Sequence, residues 1–179
     1  MENKNLRSTR RRYALILIIL VGIILTSLAL INTIGPDSNK SQLKDNHFIS
    51  KTISVGSFPV GISVNPSTNV IYVTNNQSDT VSVIDGKTNS VTKTIKVGDG
   101  PAGISVNPLT DMIYVANYYS DTISVIDGKT HVVIEEIPVD STPWGIDLNS
   151  ENNIVYTTNY FANTISIIDG AENNVITTV

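Results

Sequence analysis

Three consecutive stretches of 42 residues align without a gap, and this period constrains the chain more than any other feature. The stretches begin at Thr52, Thr94 and Glu136. Pro59, Pro101 and Pro143 fall in register. So do Gly61, Gly103 and Gly145; Asn65, Asn107 and Asn149; Tyr72, Tyr114 and Tyr156; and Asn75, Asn117 and Asn159. Asp-Gly pairs recur at 85–86, 127–128 and 169–170. A fixed period of this length marks a repeat architecture, in which each repeat is one supersecondary unit that must stack on its neighbours to bury an apolar face.

Each repeat carries four strand signals separated by turn chemistry. In the middle repeat they are Gly103–Val106, Met112–Ala116, Thr122–Ile126 and Val132–Val139. Val, Ile, Thr and Tyr dominate them, as pleated strands prefer. Asn107-Pro108 and Asp127-Gly128 punctuate the turns. The helical period of 3.6 residues is absent, which excludes a coiled coil or a helical solenoid. Four short antiparallel strands per repeat of about 42 residues is a propeller blade. The expected fold is all-β, with blades at 52–93, 94–135 and 136–179 and a leading strand near Phe48–Val55. The first strand, with Gly103 and Ser105 on one face and Ile104 and Val106 on the other, suits the crowded axis. The fourth suits the rim, with Val91, Ile95 and Val97 on one face and Thr92, Thr94 and Lys96 on the other.

Three blades are too few for a ring, which needs about four to eight. Two closures are open. Either the chain is a piece of a longer propeller, or copies of it form a homo-oligomer, of which a six-bladed pair is the simplest.

The residues before the repeats have a different character. Lys4 and four arginines (Arg7, Arg10, Arg11, Arg12) precede Tyr13, and residues 13–36 carry no charge. Tyr13 to Ile31 is predominantly apolar, and 19 residues rising 1.5 Å each span about 28 Å, close to a bilayer core. A cleaved signal peptide is the rival, but its apolar region runs about 7–15 residues. The expectation is a transmembrane signal anchor at 13–31, a cytoplasmic basic tail at 1–12 and a polar linker at 32–46. The positive-inside rule then puts the repeats outside the cell membrane. Residues 51–179 hold five Lys, no Arg and 13 Asp or Glu, a net −8. That acidity repels phosphate backbones and argues against nucleic acid as a partner. The chain has no cysteine, which excludes disulfides and thiol chemistry.

The repeats resemble the YVTN-type β-propeller family of archaeal surface-layer and bacterial exported proteins. The motif stands here as IYVTN at 71–75, IYVAN at 113–117 and VYTTN at 155–159, each followed by a T-[VI]-S-[VI]-I-D-G run. The resemblance covers about residues 50–179. It implies blades used as scaffolds for adhesion, assembly or ligand binding, with enzymes among related propellers.

Variation within the repeat points to one face. The loops at 56–60, 98–102 and 140–144 and those at 75–79, 117–121 and 159–163 emerge on the same side of a propeller and differ most between repeats. They hold Phe58, Tyr118, Tyr119, Trp144, Tyr160 and Phe161. Outside the anchor, the leading strand and the three repeat tyrosines, these are all the aromatics. Aromatic rings offer large contact area at low entropic cost and are enriched in binding patches. They are the candidate partner-binding residues, for surface proteins or glycans; packing against adjacent loops is the alternative role.

Other candidates carry less. Asp147 replaces Ser63 and Ser105 on the first strand and could contribute to a Ca²⁺ site with Asp99 or Asp140. Asp79 and Asp121 read as turn caps. Asn39 and Asn76 begin N-x-S sequons. His47 and His131 are isolated, and no catalytic triad or nucleotide-binding motif appears. The sequence therefore reads as a membrane-anchored extracellular recognition scaffold, non-enzymatic and without a cofactor. The alternative is a fragment of an exported lactonase or oxidoreductase whose catalytic residues lie in missing blades.

Overall fold

The computed structural model describes residues 51–179. The basic tail, the anchor at 13–31, the linker, Asn39, His47 and Phe48 lie outside the described residues. Three four-stranded antiparallel sheets follow one another: β1 (Pro59–Asn65) to β4 (Ser90–Lys96), β5 (Pro101–Asn107) to β8 (Val132–Pro138), and β9 (Pro143–Asn149) to β12 (Asn174–Thr178). Within each sheet the strands are paired in chain order. Successive sheets pack mainly through their first strands, β1 on β5 and β5 on β9, with little between the fourth strands. This is the fan of a propeller, tight at the inner strands and splayed at the rim.

Two expectations change. Residues 51–55 are not a strand, so the leading strand is absent from the described part of 48–55. The faces of the fourth strand are also different. A bulge shifts the register between Val83 and Ile84, so that Ile84 pairs Val91 while Val83 pairs Lys93. The extra residue turns Val91 onto the face opposite Ile95, because one inserted residue inverts the side-chain alternation. Val91 is exposed, whereas Ile95 and Val97 are buried in the seam between the first two blades.

The core is therefore two apolar seams. One joins Tyr72, Val81, Val83, Ile95 and Val97 to Ile104, Val106 and Ile113. The other joins Tyr114, Ile123, Val125 and Ile137 to Val155 and Ile168. Gly61 and Gly103 allow the close approach: a Cβ on either would collide with the carbonyl of Ala102 or Trp144 in the next blade.

The repeated polar residues are also placed by physics. Asn75, Asn117 and Asn159 are buried. Each donates its amide to two hydroxyls of the third strand: Thr80 and Ser82 (3.1 and 3.0 Å), Thr122 and Ser124 (3.0 and 2.8 Å), and Thr164 and Ser166 (3.0 and 2.9 Å). This explains why the motif asparagine is followed by T-x-S. Buried polar groups need partners, and the amide nitrogens find theirs in these hydroxyls, while the three amide oxygens are buried without a hydrogen bond. The Asp-Gly turns close similarly. Asp127 accepts the N–H of Thr130 at 2.9 Å and of Lys129 at 2.8 Å, and these bonds, that from Thr130 first, hold its carboxyl below the ordinary range.

All twelve left-handed residues among the described residues fall at four positions of the repeat. Asn and Asp, which tolerate this conformation, fill most of them. His131 takes the place of Asn89 and Asn173, with φ of 54°. Its ring sits half-buried against Tyr72, with centroids 6.1 Å apart. Burial first, and Lys93 second, depress its pKa from 6.5, and burial raises that of Tyr72 to about 12. A depressed histidine binds its proton more weakly folded than unfolded. Stability is thus fully present above pH 6.5 and falls as the pH drops through and below that value. Thermal melts should show this loss between pH 7 and pH 5, and His131→Asn should flatten it.

Candidate functional site

Five of the six candidate aromatics come together. Tyr118, at the turn after β6 (Met112–Asn117), packs edge-on to Tyr119 with centroids 4.9 Å apart. It packs edge-on to Trp144 of β9 at 5.4 Å and lies 6.4 Å from Phe161. Phe161 in turn meets Tyr160 at 5.1 Å. The cluster thus bridges the second and third blades. Edge-to-face geometry at these spacings matches the ring quadrupoles. Tyr118 is half-buried at the centre, while Tyr119, Trp144, Tyr160 and Phe161 are exposed. Tyr118, Trp144 and Tyr160 line a pocket of ≈ 360 Å³. Phe58 stands apart on the first blade, exposed and with no ring partner among the described residues.

The loops that carry these rings are stapled from the blade before. Asp79 accepts the N–H of Gly100 at 2.9 Å, and Asp121 accepts that of Thr142 at 2.7 Å. These aspartates do more than cap their own turns: each fixes the loop entering the next blade. The partners lie 21 residues apart, half a repeat, so the pairing is not visible as a motif. Gly100 is left-handed, φ 64°, and a Cβ there would strike the Tyr119 ring. Thr142 and Phe58 occupy the same repeat position with φ of 58° and 55°. A left-handed β-branched or bulky residue is strained. In Thr142 the hydroxyl also accepts the N–H of Phe161 at 2.8 Å, tying one aromatic loop to the other.

The remaining candidates lie elsewhere. Asp147 accepts the Ser105 hydroxyl at 3.5 Å and lines a groove on the outward face of the third blade with Gly145, Tyr156 and Ile165. Asp140 accepts the hydroxyl of Thr164 at 2.9 Å, and Asp99 is exposed. Among the described residues no three His, Asp or Glu side chains converge as a metal-binding group. Asn76 is half-buried and donates its amide to the Pro101 carbonyl at 3.3 Å.

Comparisons with known proteins agree with this architecture. Hydrazine synthase of Kuenenia stuttgartiensis superposes with a TM-score of 0.65 at 25% identity, over 72% of this chain and 37% of that one. The WD40 repeats of RRP9 superpose with a TM-score of 0.64 at 10% identity, over 70% of this chain and 39% of that one. A stretch of 35 residues is 60% identical to PE_PGRS18, a PE-PGRS family protein of Mycobacterium tuberculosis (strain ATCC 25618 / H37Rv). That stretch is 20% of this chain and 8% of the relative. The chain thus spans well under half the length of each of these three proteins. The model of the YNCE-like beta-propeller family matches residues 47–179, and the chain belongs to that family.

Proposed function

We propose that the chain is a non-enzymatic recognition module of the YVTN surface type, held at the outer side of the cell membrane by residues 13–31. Its ligand on this reading is a carbohydrate of the cell surface, bound in the pocket of Tyr118, Trp144 and Tyr160. The observation that carries the reading is the aromatic cluster: five rings from two blades meet on one face, four of them exposed. Exposed apolar rings at a concave site are what a ligand surface retains and a purely structural surface sheds. The C–H faces of a sugar stack on such rings, and its hydroxyls suit a rim of Asp, Ser, Thr and Asn side chains. The net charge of −8 on residues 51–179 disfavours anionic ligands.

Replacing Trp144 and Tyr119 together by alanine should abolish retention on immobilised surface polysaccharide, at least tenfold in affinity, with no fall in melting temperature. A large loss of stability would assign the rings to packing. Retention of a surface protein instead of a glycan would move the ligand class to peptide.

The likeness to hydrazine synthase at 25% identity supports a second reading, a piece of an exported propeller enzyme. A stoichiometric, tightly held metal in the purified protein would favour it.

A further inference from the structure

The loops of the aromatic face carry charge of one sign. The segments 56–60, 75–79, 98–102, 117–121, 140–144 and 159–163 hold Asp79, Asp99, Asp121 and Asp140 and no Lys, Arg or His. The lysines lie elsewhere. Lys87 and Lys129 follow the Asp-Gly pairs of the opposite turns. Lys51 and Lys93 reach the same turns, donating to the carbonyls of Thr88 and Thr130 at 3.1 and 3.0 Å. Lys96 ends β4 on the first blade, paired with Thr80, whereas the pocket lies between the second and third blades.

Three of the four aspartates are tied to the loops that carry the rings. The Asp99 carbonyl accepts the N–H of Tyr119 at 3.1 Å. The Asp121 carboxylate accepts the N–H of Thr142 at 2.7 Å, two residues before Trp144. The Asp140 carboxylate accepts the hydroxyl of Thr164 at 2.9 Å, beyond the turn of Tyr160 and Phe161. All three aspartates are exposed. The shape of the pocket adds a second constraint. Of its three lining rings, Tyr118 and Trp144 stand at 83° to one another. A sugar ring stacks on one flat platform, whereas walls near a right angle enclose a compact, rounded group. The faces of such rings are the negative side of their quadrupoles, and they attract a cation within about 6 Å of a ring centre, most strongly at Trp.

We propose that the group held in this pocket is an organic ammonium ion, carried on a surface glycan as the amine of an amino sugar. The glycan carrier rests on the reading of the pocket given above; the ammonium rests on the ring geometry and on the one-signed charge of the loops. The rings replace part of the ion's hydration, and the carboxylates draw it in over about a Debye length, roughly 8 Å at physiological salt. The carrier follows from entropy. A lysine ammonium sits on a flexible stem whose ordering opposes binding. An amine on a sugar ring is already held, and the hydroxyls beside it meet the Asp, Ser and Thr side chains around the rings. N-acetylation would remove the charge and leave the sugar.

The test titrates the full chain with four probes and follows Trp144 emission. Choline is compared with the neutral alcohol in which carbon replaces its nitrogen, and glucosamine oligomers with N-acetylglucosamine oligomers. Each ammonium probe should bind roughly tenfold more tightly than its neutral counterpart. Tyr160 is 63% exposed, so Tyr160→Leu should leave the melt unchanged and cut the choline preference about fivefold, while Tyr160→Phe should keep it. Asp99→Asn with Asp140→Asn should weaken choline at low salt and not at high salt. Choline and its neutral isostere bound alike, or neither bound, would overturn the proposal. Oligomers bound alike, acetylated or not, would overturn it too and leave the glycan reading intact. Choline preferred with neither oligomer bound would retain the ammonium pocket and overturn the glycan carrier, in favour of a lipid or peptide.

Discussion

Tyr114→Ala is expected to destabilise the protein by about 3–5 kcal/mol, the range for deleting a large buried aromatic. Tyr114 is fully buried between the second and third blades, within the seam that includes Ile123, Val125 and Ile168. Its removal leaves a cavity and strips the Gly170 carbonyl of its 3.1 Å donor. A loss of that size is a large part of the stability of a small domain. Denaturant unfolding should show the midpoint collapse or the native baseline disappear. The repeat supplies its own control. Tyr156, at the same position of the third blade, is 41% exposed, and Tyr156→Ala should cost the isolated fold about 1 kcal/mol or less.

Gly103→Val is the second large effect, an expected loss of about 1–3 kcal/mol from overpacking. Its Cβ would collide with the Trp144 carbonyl and crowd Ile146, whose Cγ2 lies 3.1 Å away. The strand carrying Trp144 must move, so the substitution reaches the aromatic cluster without touching a ring. Melting temperature and Trp144 emission should change together. Gly145→Val, at the open equivalent, should leave the melt of a single chain nearly unchanged. Equal losses at 103 and 145 would mean that the third blade is already covered.

These contrasts bear on how much of the molecule could be read in advance. The blades were legible because period-2 alternation, Asx turns and the 42-residue register all report the same local geometry, and each strand lies within two residues of its sequence expectation. Val91 was misread because a bulge leaves no mark in the alternation until Lys93 has paired with Val83. Asp79 and Asp121 read as local caps because their second partner, the loop of the next blade, is a tertiary contact. The meeting of Tyr118 with Trp144 follows from stacking two blades whose loops share a face, so the architecture implied it and the local sequence did not. Phe58 shared the composition argument but sits one blade too far away. The exposure of Tyr156 and Ile62 was implicit in the blade number, but which hydrogen-bonding groups they stand beside required the coordinates.

Trp144 is the only tryptophan of the chain, and it forms a wall of the candidate pocket. Its emission is therefore the most direct reporter of the candidate face. Titration of the full chain with oligosaccharides from its own cell surface should give a saturable spectral change, lost in Tyr118→Phe, Tyr160→Ala without a change in fold. Emission that no glycan or surface peptide alters would contradict a recognition role for this face.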